Sequence, residues 1–304
     1  MQASTGVSRD TAPDEGPGPA LCERITLLMG APPVAWKHAS GGYTHAERWS
    51  VRLADGRAAF IKAAVDAATA GWLRTEYGFY RNVHGPFMPG LLGWDDGQHP
   101  ILALEDLSDA DWPPPWRSGM VSSVLDAVAA LHKAEPPDGL PGLESYRDEL
   151  ACWGRVRAEP DGFLGLGLCS REWLHAALPE FLAAEADAVL QGQSIVHFDL
   201  RSDNVCVRNG RAFLVDWNWA CLGNPAVDVA FWIPSLAAEG GSEPEDVLPT
   251  APGVPELAAM VAGYLAWNAT KPDLRPGCVL RTNQRNWLRA ALHWSARTLD
   301  LARP

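Results

Sequence analysis

The stretch Ile195-Val196-His197-Phe198-Asp199-Leu200-Arg201-Ser202-Asp203-Asn204-Val205 indicates how the rest of the chain is organised. An apolar run gives way to a polar loop that carries Asp199 and Asn204, and alternating, strand-like residues follow. The dipeptide Asn209-Gly210 then favours a tight type I′ hairpin, whose return strand leads to Asp216. The pattern therefore predicts that the side chains of Asp199, Asn204 and Asp216 lie close together.

Such a trio has the chemistry of phosphoryl transfer from a nucleotide. One carboxylate is needed to orient the attacking hydroxyl and accept its proton, and hard oxygen ligands are needed for Mg²⁺. We expect Asp199 to be the base and Asn204 and Asp216 to be the metal ligands. The alternative is an unrelated α/β domain that contains a His-x-Asp pair and a turn.

Residues 197–204, followed by the segment 215–230, resemble the signature of the aminoglycoside phosphotransferase and choline kinase family. This resemblance implies an α+β, two-lobed, protein-kinase-like fold, with a small N-terminal lobe of antiparallel sheet and a larger, mainly helical C-terminal lobe. It also implies an enzyme that uses ATP and Mg²⁺ to phosphorylate a hydroxyl of a small molecule.

The composition along the chain suggests where the lobes begin and end. Residues 1–19 are rich in Ser, Thr, Gly, Pro and acidic residues without periodicity, which predicts a flexible tail. Strand patterns with one long helical segment occupy residues 20–105, and helical patterns dominate residues 106–304. We expect a nucleotide-binding lobe followed by a catalytic and acceptor-binding lobe, with ATP in the cleft between them.

Several residues of the first lobe are candidates for binding the nucleotide. The small-residue turn Ser40-Gly41-Gly42 lies between two strand patterns and could direct backbone N–H groups at phosphates. By the resemblance, Lys62 contacts the α and β phosphates and Glu76 holds it, although Glu47 competes for that role.

The resemblance also implies that the chain leaving the last strand of the first lobe meets the adenine. Glu105 lies at this hinge, whose backbone would contact the base, and Leu104 and Leu107 would flank its ring.

Bulk properties exclude some classes of protein. The chain of 304 residues has 25 Lys and Arg against 37 Asp and Glu, a net charge of −12, which argues against binding to nucleic acid or anionic membranes. No window approaches eighteen apolar residues, and the six cysteines lack metal-binding spacing. We expect a cytoplasmic monomer or weak dimer with free thiols.

The acceptor is the least determined feature. Four carboxylates between Glu239 and Asp246, and the aromatic pair Trp217 and Trp219, favour a neutral or cationic hydroxyl compound, with an aminoglycoside or related antibiotic as the leading hypothesis. Phe198 stands where relatives commonly have glycine, and Asn224 where they often have aspartate, two departures that bear on the substrate. Choline-like alcohols, homoserine and sugars stay open as acceptors.

Two other functional classes remain as alternatives. A pseudokinase would bind nucleotide without turnover, but Lys62, Asp199, Asn204 and Asp216 are all present. A protein kinase is disfavoured because G-x-G-x-x-G, D-F-G and A-P-E are absent from the sequence.

Overall fold

The computed structural model describes residues 16–39, 45–274 and 277–304. The chain divides into two compact units. The sheet unit comprises residues up to Tyr77 together with Gly90–Ser108, and the helical unit comprises Gly78–Pro89 together with Asp109–Pro304. The lobe boundaries at residues 19 and 105 stay predictions of the sequence.

The sheet unit is built on five antiparallel strands in the order β1-β2-β3-β5-β4. The strands and the two helices that accompany them have these bounds: α1 Pro19–Met29, β1 Pro33–His38, β2 Glu47–Leu53, β3 Ala58–Ala63, α2 Ala67–Asn82, β4 Leu91–Asp95 and β5 Ile101–Leu104.

Alternation in β2 explains how this unit acquires its core. Trp49, Val51 and Leu53 alternate along the strand and are all buried, as a half-covered antiparallel strand requires. Ile25 of α1 is fully buried in the same cluster, so the helix covers the apolar face of the sheet. The result is a small core, with β3 at the centre of the sheet between β2 and β5.

The helical unit contains the larger core. Its helices are α3 Met120–Leu131, α4 Arg147–Leu150, α5 Trp153–Ala158, α6 Pro160–Leu164, α7 Arg171–Asp187, α8 Ala226–Ala238, α9 Pro244–Val247, α10 Val254–Asn268 and α11 Leu280–Thr298. The middle of α10 is buried on all sides, among α7, α8 and α11. In the part of the chain that the structure describes, no helix has the length and apolarity needed to cross a membrane.

Two small antiparallel ribbons in the helical unit position the loop singled out in the sequence. One pairs β6 (Ser194–Val196) with β9 (Cys221–Gly223), and the other pairs β7 (Val205–Arg208) with β8 (Arg211–Leu214). The connecting residues Asn209 and Gly210 both have positive φ, 54° and 75°, as the predicted type I′ turn requires. The loop 197–204 thus leaves one ribbon and enters the other.

Two predicted elements differ from the structure. The sequence predicts a helix from Pro225 to Ile233 that Pro234 stops. In the structure α8 continues to Ala238, because the residues around the proline are buried and their packing outweighs one lost backbone hydrogen bond. The sequence also predicts one short helix from Leu143 to Trp153, whereas the structure has a 3-10 turn and the short α4, and the chain then breaks before α5.

Candidate active site

His197 anchors the start of the loop. Its side chain is fully buried, and burial lowers the pKa of the imidazole, so the ring is neutral. The ring Nε2 lies 3.0 Å from the carbonyl oxygen of Val215, and Nδ1 lies 3.3 Å from the backbone N of Asp199. A neutral ring that donates at Nε2 and accepts at Nδ1 satisfies both contacts, so His197 ties the loop to the end of β8.

Asp228, in the first turn of α8, holds the backbone of the same loop. Its fully buried carboxylate accepts the backbone N–H of His197 at 3.0 Å through Oδ2 and that of Phe198 at 2.8 Å through Oδ1. His132 Nε2 lies 2.9 Å from Oδ2 as well. Phe198 has φ 62°, a left-handed conformation that costs a non-glycine residue roughly 1–2 kcal/mol. The two charge-assisted bonds from Asp228 keep it there.

Asp199 is held in place from two sides. Its Oδ2 accepts from Arg201 Nη2 at 2.9 Å and from Asn204 Nδ2 at 3.0 Å, and about a quarter of its side chain, 27%, is exposed. Burial of the carboxyl raises its pKa to about 7, with Arg201 acting in the opposite direction and the charge of Asp216 adding to the rise. The carboxylate is therefore fixed in orientation but reachable by a small molecule.

Asn204 and Asp216 lie close enough to act on the same region. The backbone N of Val215 donates to the carbonyl oxygen of Asn204 at 3.0 Å, which places the strand end carrying Asp216 beside the loop. The Asn204 amide nitrogen donates to the carbonyl oxygen and to Oδ2 of Asp199, so the amide oxygen is the atom that could bind a metal. Asp216 has φ 69°, and its Oδ1 accepts from Asn218 at 2.6 Å.

These donors fit a hard cation. Carboxylate and amide oxygens are the ligands that Mg²⁺ prefers, and Mg²⁺ commonly takes only one or two protein ligands with the rest from phosphates and water. In residues 16–39, 45–274 and 277–304, no cluster of three His, Cys, Asp or Glu side chains offers an all-protein metal site. Asn204 and Asp216 could hold Mg²⁺ only together with oxygens from a bound phosphate or water.

Lys62 and Glu76 form a buried ion pair within the sheet unit. The Lys62 Nζ donates to both carboxylate oxygens of Glu76, at 2.7 and 2.8 Å, and both side chains are buried. Glu47, the competing partner considered from the sequence, instead accepts from the Trp49 indole at 3.1 Å. An ion pair between the third strand and the following helix is the arrangement that positions a phosphate-binding lysine in kinases.

The remaining candidates for nucleotide binding divide into two groups. Ser40, Gly41 and Gly42 lie outside the described residues. Leu104 and Leu107 are both buried in the sheet unit, 2% and 5% exposed. Glu105 lies between them in the sequence. Its backbone N–H donates to the carbonyl oxygen of Gly90 at 2.8 Å, and its carboxylate accepts the backbone N–H of Gly90 at 3.1 Å.

Glu239 has a role that sequence reasoning missed. The Glu239 carboxylate at the end of α8 accepts the Ser202 hydroxyl at 2.7 Å and the Trp116 indole N–H at 2.9 Å. Burial raises its pKa, against the effect of these two bonds. Glu239 thus holds the middle of the loop 197–204, whereas from the sequence it is only one of four carboxylates that favour a cationic acceptor. A helix that continues through Pro234 would have been the local signal for this role.

The two tryptophans after Asp216 have different surroundings. Trp217 is 1% exposed and stacks on Phe79 at 4.4 Å, with His197 at 4.5 Å, so it supports the loop from behind and cannot line an acceptor pocket. Trp219 is 50% exposed. Asn224, the second departure from the family pattern, bonds the backbone of Ala226 and helps to start α8.

A family model described as the phosphotransferase enzyme family matches residues 99–276, more than half of the chain. The chain belongs to this family, as the resemblance in the sequence implied. No individual curated protein matches it significantly.

Solved structures share its fold. A candidate fructosamine-3-kinase from Thermobifida fusca YX-ER1 is 21% identical, with a TM-score of 0.53 over 90% of this chain and 98% of that one. The macrolide 2'-phosphotransferase MphH from Brachybacterium faecium is 16% identical, with a TM-score of 0.52 over 82% and 90%. A type I macrolide 2'-phosphotransferase is 18% identical, with a TM-score of 0.53 over 90% and 94%. The predicted two-lobed, protein-kinase-like α+β fold is confirmed, and the chain is a small-molecule phosphotransferase.

Proposed function

We propose that this protein transfers the γ-phosphoryl group of ATP to a hydroxyl of a small molecule, with Mg²⁺ as the metal. The observation that carries the proposal is the arrangement around Asp199: an oriented, partly exposed carboxylate next to two oxygen donors, Asn204 and Asp216. Acid–base chemistry and metal binding are the two requirements that this reaction places on a protein.

The residues divide the work as follows. Asp199 orients the acceptor hydroxyl and takes its proton, while the acceptor oxygen forms a bond to the γ-phosphorus and the bond from that phosphorus to the β,γ-bridging oxygen breaks, releasing ADP. Asn204 and Asp216 would hold Mg²⁺, which neutralises charge on the phosphates. Arg201 keeps Asp199 in one rotamer through the 2.9 Å bond to Oδ2.

Further residues are proposed for the nucleotide. Lys62, fixed by Glu76, would bind the α and β phosphates, and the turn Ser40-Gly41-Gly42 would add backbone N–H groups. The backbone at Glu105 would meet the adenine between Leu104 and Leu107.

Two variants test the assignment. We expect Asp199→Asn to lower turnover by about two orders of magnitude or more and to leave ATP affinity within a few-fold, because it removes the base and spares the nucleotide contacts. Asp216→Ala should abolish the Mg²⁺ dependence of nucleotide binding. Asp161→Asn is the matched control, since this carboxylate is 86% exposed in the helical unit.

The measurements are nucleotide titrations with and without Mg²⁺, and ATP consumption over a panel of hydroxyl compounds followed by mass spectrometry. Unchanged turnover in Asp199→Asn would reject the base. Nucleotide binding by the wild type without any consumption of ATP would favour the pseudokinase alternative.

An aminoglycoside or related antibiotic stays the acceptor proposed from the sequence. Two of the similar structures are macrolide phosphotransferases, which supports a proposed role in antibiotic resistance. The acidic segment behind the cationic part of that proposal is partly committed elsewhere. Glu239 binds Ser202 and Trp116, and Glu245 pairs with Arg297 at 2.6 Å. Choline-like alcohols, homoserine and sugars are the alternative acceptors.

A cytoplasmic location is proposed because each of the six cysteines is a free thiol, as expected in a reducing compartment. A monomer or weak dimer is proposed as the assembly.

A further inference from the structure

Five aromatic side chains in the helical unit form a continuous row of ring contacts, which we name the aromatic strip. Its consecutive ring centroids are 5.7–6.2 Å apart, in the order Trp219, Tyr146, Phe198, Phe231 and Tyr264. The rings meet at angles between 37° and 71°. Tilted and edge-on contacts are arrangements that aromatic pairs prefer, and they hold each ring in place.

The aromatic strip is less completely buried than the aromatic core of the same unit. Trp153, Trp217 and Trp294 are at most 1% exposed. In contrast, Trp219 is half exposed, and the other four rings of the strip pack against the core while keeping part of their surface in solvent. Ligand pockets are lined mainly by hydrophobic and aromatic side chains.

The strip borders the proposed base. Phe198 directly precedes Asp199, and it contributes its ring from a left-handed backbone conformation held by Asp228. At the other end, burial and the charge of Asp199 raise the pKa of the Tyr264 hydroxyl. A molecule lying along these rings would therefore present its substituents to Asp199.

From these observations we infer that the aromatic strip is the acceptor subsite and that it takes a hydroxyl compound with a flat, apolar ring next to its hydroxyl group. The inference rests on the proposed function, because it assigns the second substrate of that reaction. Stacking of the acceptor's ring on Trp219 and Tyr146 would make the enzyme select ring-bearing acceptors.

The test uses phenyl and methyl β-glucosides as matched probes. Dissociation constants are measured by NMR titration of each probe against the whole protein with Mg²⁺ and ADP. The variants are Trp219→Leu and Tyr146→Leu, and Trp112→Leu is the control because Trp112 is an exposed tryptophan, 39%, outside the strip.

We expect the wild type and Trp112→Leu to prefer the phenyl glucoside by about threefold to tenfold, the range that ring stacking supplies. Trp219→Leu and Tyr146→Leu should lose this preference while ADP affinity stays the same. Equal binding of the two glucosides by the wild type, or a preference that survives both substitutions, would overturn the inference.

The outcome is separable from the proposed function. ATP consumption over the panel of hydroxyl compounds, and its loss in Asp199→Asn, reports on phosphoryl transfer whether or not the strip selects a ring. Consumption of ATP without a ring preference would refute the strip alone, whereas a ring preference without any consumption of ATP would refute the phosphotransferase proposal.

Discussion

Replacing Asp228 with asparagine tests how the loop 197–204 is held, because the change keeps the shape of the side chain and removes its charge. The carboxylate accepts the backbone N–H groups of His197 and Phe198 on different oxygens and also contacts His132. Asparagine has one oxygen, so its NH₂ group must face one of these donors.

The magnitude follows from those contacts. A hydrogen bond to a charged group contributes about 1.5–3 kcal/mol, and a buried donor left without a partner costs a similar amount. We expect Asp228→Asn to lower the free energy of unfolding by roughly 2–4 kcal/mol. The loop is then free to relax at Phe198, so kcat should fall about 10-fold to 100-fold while ATP affinity changes little.

A double-mutant cycle with Phe198→Gly identifies the cause. Glycine adopts positive φ without steric cost, so the hydrogen bonds from Asp228 no longer have to hold a strained residue. Asp228→Asn should therefore be less destabilising in this background by about 1 kcal/mol. Urea unfolding followed by tryptophan fluorescence gives the four stabilities, and Mg²⁺-dependent ATP hydrolysis gives the rates. Strict additivity in the cycle, or an Asp228→Asn protein with wild-type stability and turnover, would refute the reasoning.

Two further predictions concern the half-buried carboxylate of Glu239 and the buried carboxylate of Glu185. Glu239→Gln should lower the free energy of unfolding by about 1–3 kcal/mol, because a single amide oxygen cannot accept from both Ser202 and Trp116. The control is Glu243→Gln, at an exposed neighbouring position, which should change the free energy of unfolding little. Equal effects of the two substitutions in urea unfolding would show that the contacts of Glu239 do not stabilise the protein. Burial raises the pKa of Glu185 from 4.5 to about 7, so its contribution to stability is present at low pH and is lost as the pH rises through about 7. Glu185→Gln should therefore reduce the loss of stability between low and neutral pH by up to about 3 kcal/mol. Parallel profiles of stability against pH for the two proteins between pH 5 and 8 would contradict this prediction.

Local sequence patterns predicted most strands and the longer helices of this protein, because period and turn chemistry act over a few residues. The strand Ile101–Leu104 and the hairpin at Asn209-Gly210 are examples. The failures came from distant contacts. The chain breaks before α5 because Glu185, 33 residues away, accepts the backbone N–H of Cys152 at 2.8 Å and that of Trp153. No window of sequence contains that carboxylate.

The candidate site shows the same division. Spacing alone suggested that Asp199, Asn204 and Asp216 belong together, since a loop and one hairpin connect them. The role of Glu239 could not be predicted because one rule, that proline ends a helix, ended the expected helix at Ile233, whereas α8 runs to Ala238, directly before Glu239. The exposure of Trp219 and the burial of Trp217 could not be predicted either, because the side chains of the core decide them.

The left-handed conformation of Phe198 joins the stability of the loop to the choice of acceptor. Glycine at this position would avoid a cost of roughly 1–2 kcal/mol, and Asp228 offsets that cost with two charge-assisted bonds. Glycine would also remove the ring that connects Tyr146 to Phe231. Phe198 in place of glycine has a physical reason if its side chain is needed. Here that side chain completes a row of rings beside Asp199.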